Sequence, residues 1–410
     1  MKRMLHSTEK AIYLCLLLTP FAMVLSRNIA TPILFGVTAV LALIIAKRSS
    51  CQEAIWSPIS KPIFIVMGLV LGLLMLMSLS LTWTPVLGRG SGAVFHLAGN
   101  FVMFALAAIA VCRIERKPVT YSLLPCIFLF AAAALILIEL SFRAPVRTML
   151  GGGWEPYRMN RGAVAVVLFL PFALYHLPAT FLARGVGILT VGLIGWAAFV
   201  SESESAKLTF LLLPFAFLVS RALGRAAIPF FCIGILATLL LMPLAAYNLS
   251  SFLPVYISEK VGNGTVGMRA DMWSEFCRLI WQKPLLGHAM ESSYVAMQQY
   301  GGSDKHGYLL GGAHPHNFAI QVWYELGAVG VLLFSVLTVM YFRALRFVPD
   351  KFLPAILSTT AAVWTVSLVS HGAWQAWWWS FVGLLALLWV IVLRADAANE
   401  ASTTQHQAAD

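Results

Sequence analysis

Apolar runs of about 20 residues recur along nearly the whole chain, and a segment of that length crosses the hydrocarbon core of a bilayer as a helix. A soluble globule has no place for so many. Of the 410 residues 60% are hydrophobic and 11% charged, and the mean hydropathy is +0.83. The runs fall at 11–26, 29–46, 62–82, 92–112, 119–141, 162–178, 185–200, 208–222, 227–247, 317–342, 352–370 and 376–393. They predict an all-α integral membrane protein with about 12 transmembrane helices. Helices one to nine with short loops would occupy 1–247, a large outer loop with helices of its own 248–316, and helices ten to twelve 317–394. The polar tail 395–410 reads as cytoplasmic and disordered. Lys2, Arg3 and Lys10 precede a first run that lacks a small-residue cleavage site and is followed at once by another, so it reads as a retained anchor.

Lysine and arginine accumulate on the cytoplasmic side of membrane proteins, and their order here makes odd-numbered spans run outward with both termini inside. Two outer connections break that rule. Arg143, Arg147, Arg158 and Arg161 share one, and Lys260, Arg269, Arg278, Lys283 and Lys305 share the other. An outer surface that collects cations against the topological bias points to an anionic ligand, the alternative being side chains that snorkel to lipid phosphates. No nucleic-acid partner is expected, and no Walker-type glycine loop is present.

The large loop carries an amphipathic helix at 268–282. At 100° per residue Met272, Trp273, Phe276 and Ile280 lie within about 60° of Arg269, with Arg278 opposite. Lys283-Pro284-Leu285-Leu286-Gly287 ends it, and the pairs Gly301-Gly302 and Gly311-Gly312 read as hinges for a loop that opens and closes. Then comes Ala313-His314-Pro315-His316-Asn317, nine residues ahead of Gly327-Ala328-Val329-Gly330. A neutral imidazole near a helix start is disfavoured as imidazolium and stays available as a base near neutral pH. The alternative is that His314 and His316 cap the helix or sit among headgroups. His314 is expected to point away from His316 on an extended proline-containing stretch. No metal is expected at the pair, because no further His or Cys lies at ligand spacing. Glu325, inside an apolar run, reads as a hydrogen-bond anchor, Gly327 and Gly330 as close-packing positions, and Trp374, Trp377, Trp378 and Trp379 as an interfacial belt.

Arg269-x-x-x-Trp273, Pro284-Leu285-Leu286-Gly287 and His316-Asn317 with its spacing to Gly327-x-x-Gly330 together resemble the motif set of the O-antigen ligase and polymerase superfamily, over roughly residues 190–345. Within it, the His-Asn spacing is similar to that of the O-antigen ligases. The resemblance implies an inverting, metal-independent glycosyltransferase without cofactor in the bacterial inner membrane, its loop and active site periplasmic. The donor would be undecaprenyl diphosphate-linked O-antigen and the acceptor a sugar hydroxyl of lipid A-core, with membrane lipids around the protein. His316 would be the general base, and Arg269 would bind the diphosphate. Arg161 is added from its place at the outer start of a span, and Lys207, after Ser201-Glu202-Ser203-Glu204-Ser205, stands where relatives commonly have an arginine. His314, Asn317, Arg158 and Trp273 would support the site. An O-antigen polymerase and a protein O-oligosaccharyltransferase share the motifs, and a polyprenyl-linked sugar flippase would place its cations along the bundle interior rather than in two outer loops.

Overall fold

The computed structural model describes residues 2–25, 30–48, 61–113, 122–261, 265–300, 310 and 314–407, and every regular element among them is helical. The first half contains α1 (Lys2–Leu17), α2 (Thr19–Leu25), α3 (Ala30–Arg48), α4 (Lys61–Ser80), α5 (Leu87–Arg113), α6 (Leu124–Ser141), α7 (Pro145–Met149), α8 (Asn160–Tyr175) and α9 (Phe181–Val200). The second contains α10 (Glu204–Leu223), α11 (Ala227–Tyr247), α12 (Leu249–Phe252), α13 (Val255–Lys260), α14 (Thr265–Ile280), α15 (Ala296–Tyr300), α16 (Phe318–Leu345), α17 (Leu353–Val369) and α18 (Ala376–Gln407). Gly301, Gly302, Lys305, Gly311 and Gly312 lie outside the described residues.

The count of about 12 spans is corrected. Among the described residues six stretches are long and apolar enough to cross a membrane: Leu87–Ile109, Leu124–Ser141, Phe181–Val200, Glu204–Tyr247, Phe318–Leu345 and Ala376–Arg394. Hydropathy overcounted for identifiable reasons. The runs 208–222 and 227–247 join in one 44-residue stretch. Thr31–Ile44, Phe64–Ser80 and Leu353–Val369 are apolar but shorter. The run 11–26 is divided between α1 and α2. The run 162–178 is α8, only 16 residues long, with every residue from Gly162 to Leu170 buried. A helix that is apolar all round because protein surrounds it gives the same hydropathy signal as one surrounded by lipid. Around α8 packs the main core, with Phe169 against Phe381 and Phe172 against Trp389. At the other end of the chain, α18 continues as helix to Gln407 through residues whose polarity suggested a disordered tail; alanine and glutamate there are good helix formers.

One local departure shapes the site. Helix α16 is broken at Gly327, whose φ of 61° and ψ of −162° are not helical. The carbonyls freed at the break are taken by the segment after α14: His288 N–H donates to Tyr324 O and Ala289 N–H to Glu325 O. In return Ala328 and Val329 N–H donate to Pro284 O and Leu285 O. The backbones approach so closely that a Cβ on Gly327 would lie 2.4 Å from the carbonyl of Leu285, and one on Gly287 2.4 Å from that of Glu325. The two glycine motifs therefore meet each other, with both glycines at positive φ.

Candidate active site

Three helix ends converge around the histidines. Asn317 caps α16, its Oδ1 accepting the N–H of Ile320 at 3.0 Å, which leaves His316 one residue before the cap. The last carbonyls of a helix have no partner within it, and at the end of α17 they are taken by motif side chains. Arg269 Nη1 donates to Val369 O at 2.7 Å, and His316 Nδ1 donates to Ser370 O at 2.8 Å. Four residues along α14 from Arg269, one turn on, Trp273 donates its indole N–H to Pro315 O at 2.8 Å, tying the histidine stretch to the same helix. Met272, Phe276 and Ile280 of α14 are buried, with Phe276 edge-on to Tyr324 of α16, while Arg278 is exposed and paired with Glu275.

These contacts decide the state of His316. Donation from Nδ1 to a carbonyl fixes the neutral tautomer and leaves the lone pair on Nε2. Burial lowers its pKa, the Ser370 carbonyl raises it, and Arg269 lowers it further. The ring is thus a neutral base whose protonated form would still be met by a helix C-terminus. His316 itself adopts φ 52°, an uncommon conformation for a residue with a Cβ. That turn brings His314 back: the two rings lie 4.2 Å apart, and His316 N–H donates to His314 Nδ1. The expectation that His314 points away is therefore wrong. Burial first, then His316, Arg161 and Arg89, push the His314 pKa down to about 3.

Of the other sequence candidates, Arg161 reaches the cluster. Its guanidinium stacks 4.1 Å over the ring of Trp377 and acts electrostatically on His314 and His371. Lys207 is paired with Glu204 at 2.7 Å, and Glu204 is the carboxylate felt by Arg269. Arg158 is paired with Glu155 in its own turn. The tryptophans are not an interfacial belt: Trp374, Trp377 and Trp378 are buried, and Trp374 donates to Glu325. Glu325 is an anchor, fully buried and accepting from Ser293 Oγ, Gln321 Nε2, Glu291 N–H and Trp374 Nε1. Among the described residues no group of three His, Cys, Asp or Glu side chains could hold a metal ion.

Sequence reasoning missed Arg89, Ser370 and His371. Arg89 donates to Glu291 Oε2 from two nitrogens and lies 3.9 Å over Tyr294. It stood just before the run 92–112, on the outer side in the orientation derived above, and the charge count could have included it. Ser370-His371 closes the run 352–370, where the neighbouring tryptophans drew the attention.

A multi-pass membrane protein with a half-buried neutral imidazole beside an arginine, both held by one helix end, is the class defined here. Comparison with known proteins narrows it. The family described as O-antigen ligase matches residues 189–335, which include Arg269 and His316. A protein of Rickettsia conorii provisionally named a polysaccharide ligase is 25% identical over 287 residues, 68% of this chain and 66% of that protein. A similarly named protein of Rickettsia felis is 25% identical over 274 residues, 65% and 64% of the two. One of Rickettsia prowazekii is 27% identical over 203 residues, 47% of each. The chain thus spans just under two thirds of the first two relatives. The match over 189–335 and these relatives together support assignment to the O-antigen ligase and polymerase superfamily.

Proposed function

We propose that the protein is an O-antigen ligase, which transfers O-polysaccharide from undecaprenyl diphosphate to a sugar hydroxyl of lipid A-core at the periplasmic face of the inner membrane. The observation that carries the reading is the fixed tautomer of His316, with Arg269 bound to the adjacent carbonyl of the same helix end. His316 Nε2 takes the proton of the acceptor hydroxyl as its oxygen bonds to the anomeric carbon. The anomeric carbon–oxygen bond to the diphosphate breaks, its electron pair leaves with the diphosphate, and the anomeric configuration inverts. Arg269, with Arg161 and Lys207, meets the charge that develops on the leaving group, so no divalent ion is required. Burial lowers the Arg269 pKa, opposed by the Glu204 carboxylate, and the same burial strengthens the attraction of the guanidinium for an anion.

The test is transfer in detergent from lipid-linked donor to purified lipid A-core, with excess chelator. His316→Asn is the informative variant, because asparagine tolerates the positive φ while lacking the base. It should lose about 10²–10⁴-fold of the rate at unchanged folded yield. Arg269→Lys should retain part of the activity that Arg269→Ala loses, since an ammonium keeps the charge without the fork. Full activity in His316→Asn rules out the base, and loss on chelation that a divalent ion restores rules out the metal-independent mechanism. In cells, a deletion that leaves core without O-chains and accumulates lipid-linked polymer marks a ligase; a core bearing one repeat marks a polymerase.

A further inference from the structure

Ser370 serves the site twice. Its carbonyl receives His316 Nδ1–H, and its hydroxyl belongs to a separate chain of contacts that starts on another helix. Ser203 Oγ and Ser205 Oγ lie 3.1 Å apart at the start of α10, Ser205 Oγ donates to Ser370 Oγ at 3.2 Å, and Ser370 Oγ lies 3.3 Å from His371 Nδ1. Ser203, Ser205 and His371 are all buried. The direction of the protons follows from the partners. Ser203 Oγ, the cap of α10, accepts the N–H of Ala206, and because the one Ser205 hydroxyl proton goes to Ser370, Ser203 is the donor in its contact with Ser205. Ser205 donates to Ser370, which leaves the Ser370 proton available to donate to His371 Nδ1 when that nitrogen is unprotonated. In that arrangement His371 carries its proton on Nε2, a buried atom with no hydrogen-bond partner among the described residues.

A chain of buried hydroxyls polarised in one direction holds its members more firmly than separate bonds would. Firmness matters at this residue. Ser370 lies just past α17 with φ −134° and ψ −48°, so the helical ladder does not set the direction of its carbonyl. That carbonyl selects the tautomer of His316. We propose that the chain Ser203–Ser205–Ser370, closed by His371, is a positioning device: it fixes the Ser370 carbonyl and thereby keeps His316 protonated on Nδ1, with Nε2 as the base. Ser203, Ser205, Ser370 and His371 are thus positioning residues. The inference rests on the role proposed above for His316. The surroundings of His371 suit the part, because an imidazolium would present Nδ1–H to the serine and reverse the chain. Burial, then Arg161, His316, His314 and Arg269, all disfavour that form. Trp377 and Trp378 enclose the ring, at centroid distances of 4.5 and 5.1 Å.

The experiment reads the tautomer directly. In full-length protein labelled with 15N-histidine, the His316 resonances are identified by their loss in His316→Asn, and the nitrogen shifts report which nitrogen is protonated. Wild type should show Nδ1–H alone; Ser370→Ala and Ser205→Ala should each show a mixture of tautomers. In the transfer assay the alanine variants should lose about 10-fold in kcat with KM for the lipid-linked donor unchanged, and Ser370→Thr should recover most of the loss because it keeps the hydroxyl. Ser205→Ala, one link removed from the carbonyl, carries the same test if Ser370→Ala does not fold. A single Nδ1–H tautomer in both alanine variants overturns the proposal. So does a rise in KM at unchanged kcat, which would place the hydroxyls on the substrate. If instead His316→Asn is fully active while the serine variants still mix the tautomers, the base role fails and the positioning device stands.

Discussion

Helix α16 is two helices in one register, and the halves on either side of Gly327 are held by different forces. From Phe318 to Leu326 only Trp323 is not buried, and the half carries Gln321 and Glu325 inside the protein. Gln321 Oε1 accepts from Ala373 N–H, and Glu325 gathers donors from three parts of the chain. From Ala328 to Leu345 the helix presents Val329, Leu332, Val339 and Tyr341 outward, and its Ser335 and Thr338 hydroxyls bond back to its own carbonyls. The first half is thus a polar knot in which Gln321 and Glu325 have specified partners, and the second is a membrane-crossing rod that exchanges one apolar neighbour for another. Buried polar groups cost heavily when a partner is lost, whereas an apolar side chain facing lipid has nothing comparable to lose. The catalytic candidates sit at the knot end, where a fixed geometry is bought with those specified bonds.

The break itself should show the largest effect. Alanine at Gly327 would place a Cβ 2.4 Å from the Leu285 carbonyl carbon and 2.7 Å from Gly287 N, at a φ of 61° that disfavours any side chain. Strain and overlap together should cost about 3 kcal/mol or more. The folded yield and melting temperature of Gly327→Ala in detergent should drop sharply. A variant that melts like wild type would mean that the two halves are not joined through this contact.

A smaller loss is expected at the anchor. Glu325→Gln keeps the shape but turns one oxygen into an NH2 group, which then faces donors instead of accepting from them. A loss of about 1–3 kcal/mol is expected, together with faster hydrogen exchange at Glu291 and Ser293, whose N–H and Oγ point at the carboxylate. Unchanged exchange there would show that the 290–293 segment is held by other means, such as Thr84 Oγ1 on Met290 O or Ser80 Oγ on Met290 N–H.

Acid should loosen the knot and leave the rod alone. His314 has a folded pKa near 3 against an ordinary value of 6.5, so below pH 6.5 the unfolded chain binds a proton that the folded chain refuses. The associated stability is fully present above pH 6.5 and is lost progressively as pH falls towards 3. His316, also lowered, adds to the same trend. The melting temperature should therefore fall with pH across this window, and His314→Gln should flatten the slope by the equivalent of one proton. An unaltered slope in that variant would remove His314 from the acid response.

The sequence marked the parts of the knot better than its form. Arg269, Trp273, Pro284, Gly287, His316 and Gly327 are individually legible because each is an odd residue for its setting: a cation outside, an imidazole at a helix start, glycines in apolar runs. Their mutual contacts were not legible. Trp273 to Pro315 spans 42 residues and Arg269 to Val369 spans 100, and local periodicity carries no information about such pairings. Gly327 was read as a packing position because a glycine inside an apolar run has that use far more often than it breaks a spanning helix. The span count failed for a related reason. Hydropathy reports how apolar a segment is and not what surrounds it, so the protein-enclosed α8 scored like a lipid-facing helix.

The smallest effect provides the sharpest comparison, because it uses the same substitution on both sides of the break. Leu326 is fully buried in the knot, and Leu332, six residues on, is 61% exposed on the rod. Leu326→Ala leaves a cavity among Phe318, Val322 and Trp374, which belong to the same buried cluster, and should cost about 2–5 kcal/mol. At Leu332 the side chain faces the bilayer both in the folded protein and in the inserted but unpacked helix, so the hydrophobic transfer term cancels between the two states. Leu332→Ala should stay within about 0.5 kcal/mol of wild type. The measurement is reversible unfolding of both variants in mixed micelles, reported as a difference between them. Equal losses would mean that the outer half packs against protein across the face that the monomer leaves open, and the contrast between knot and rod would then describe a single subunit rather than the protein in its membrane.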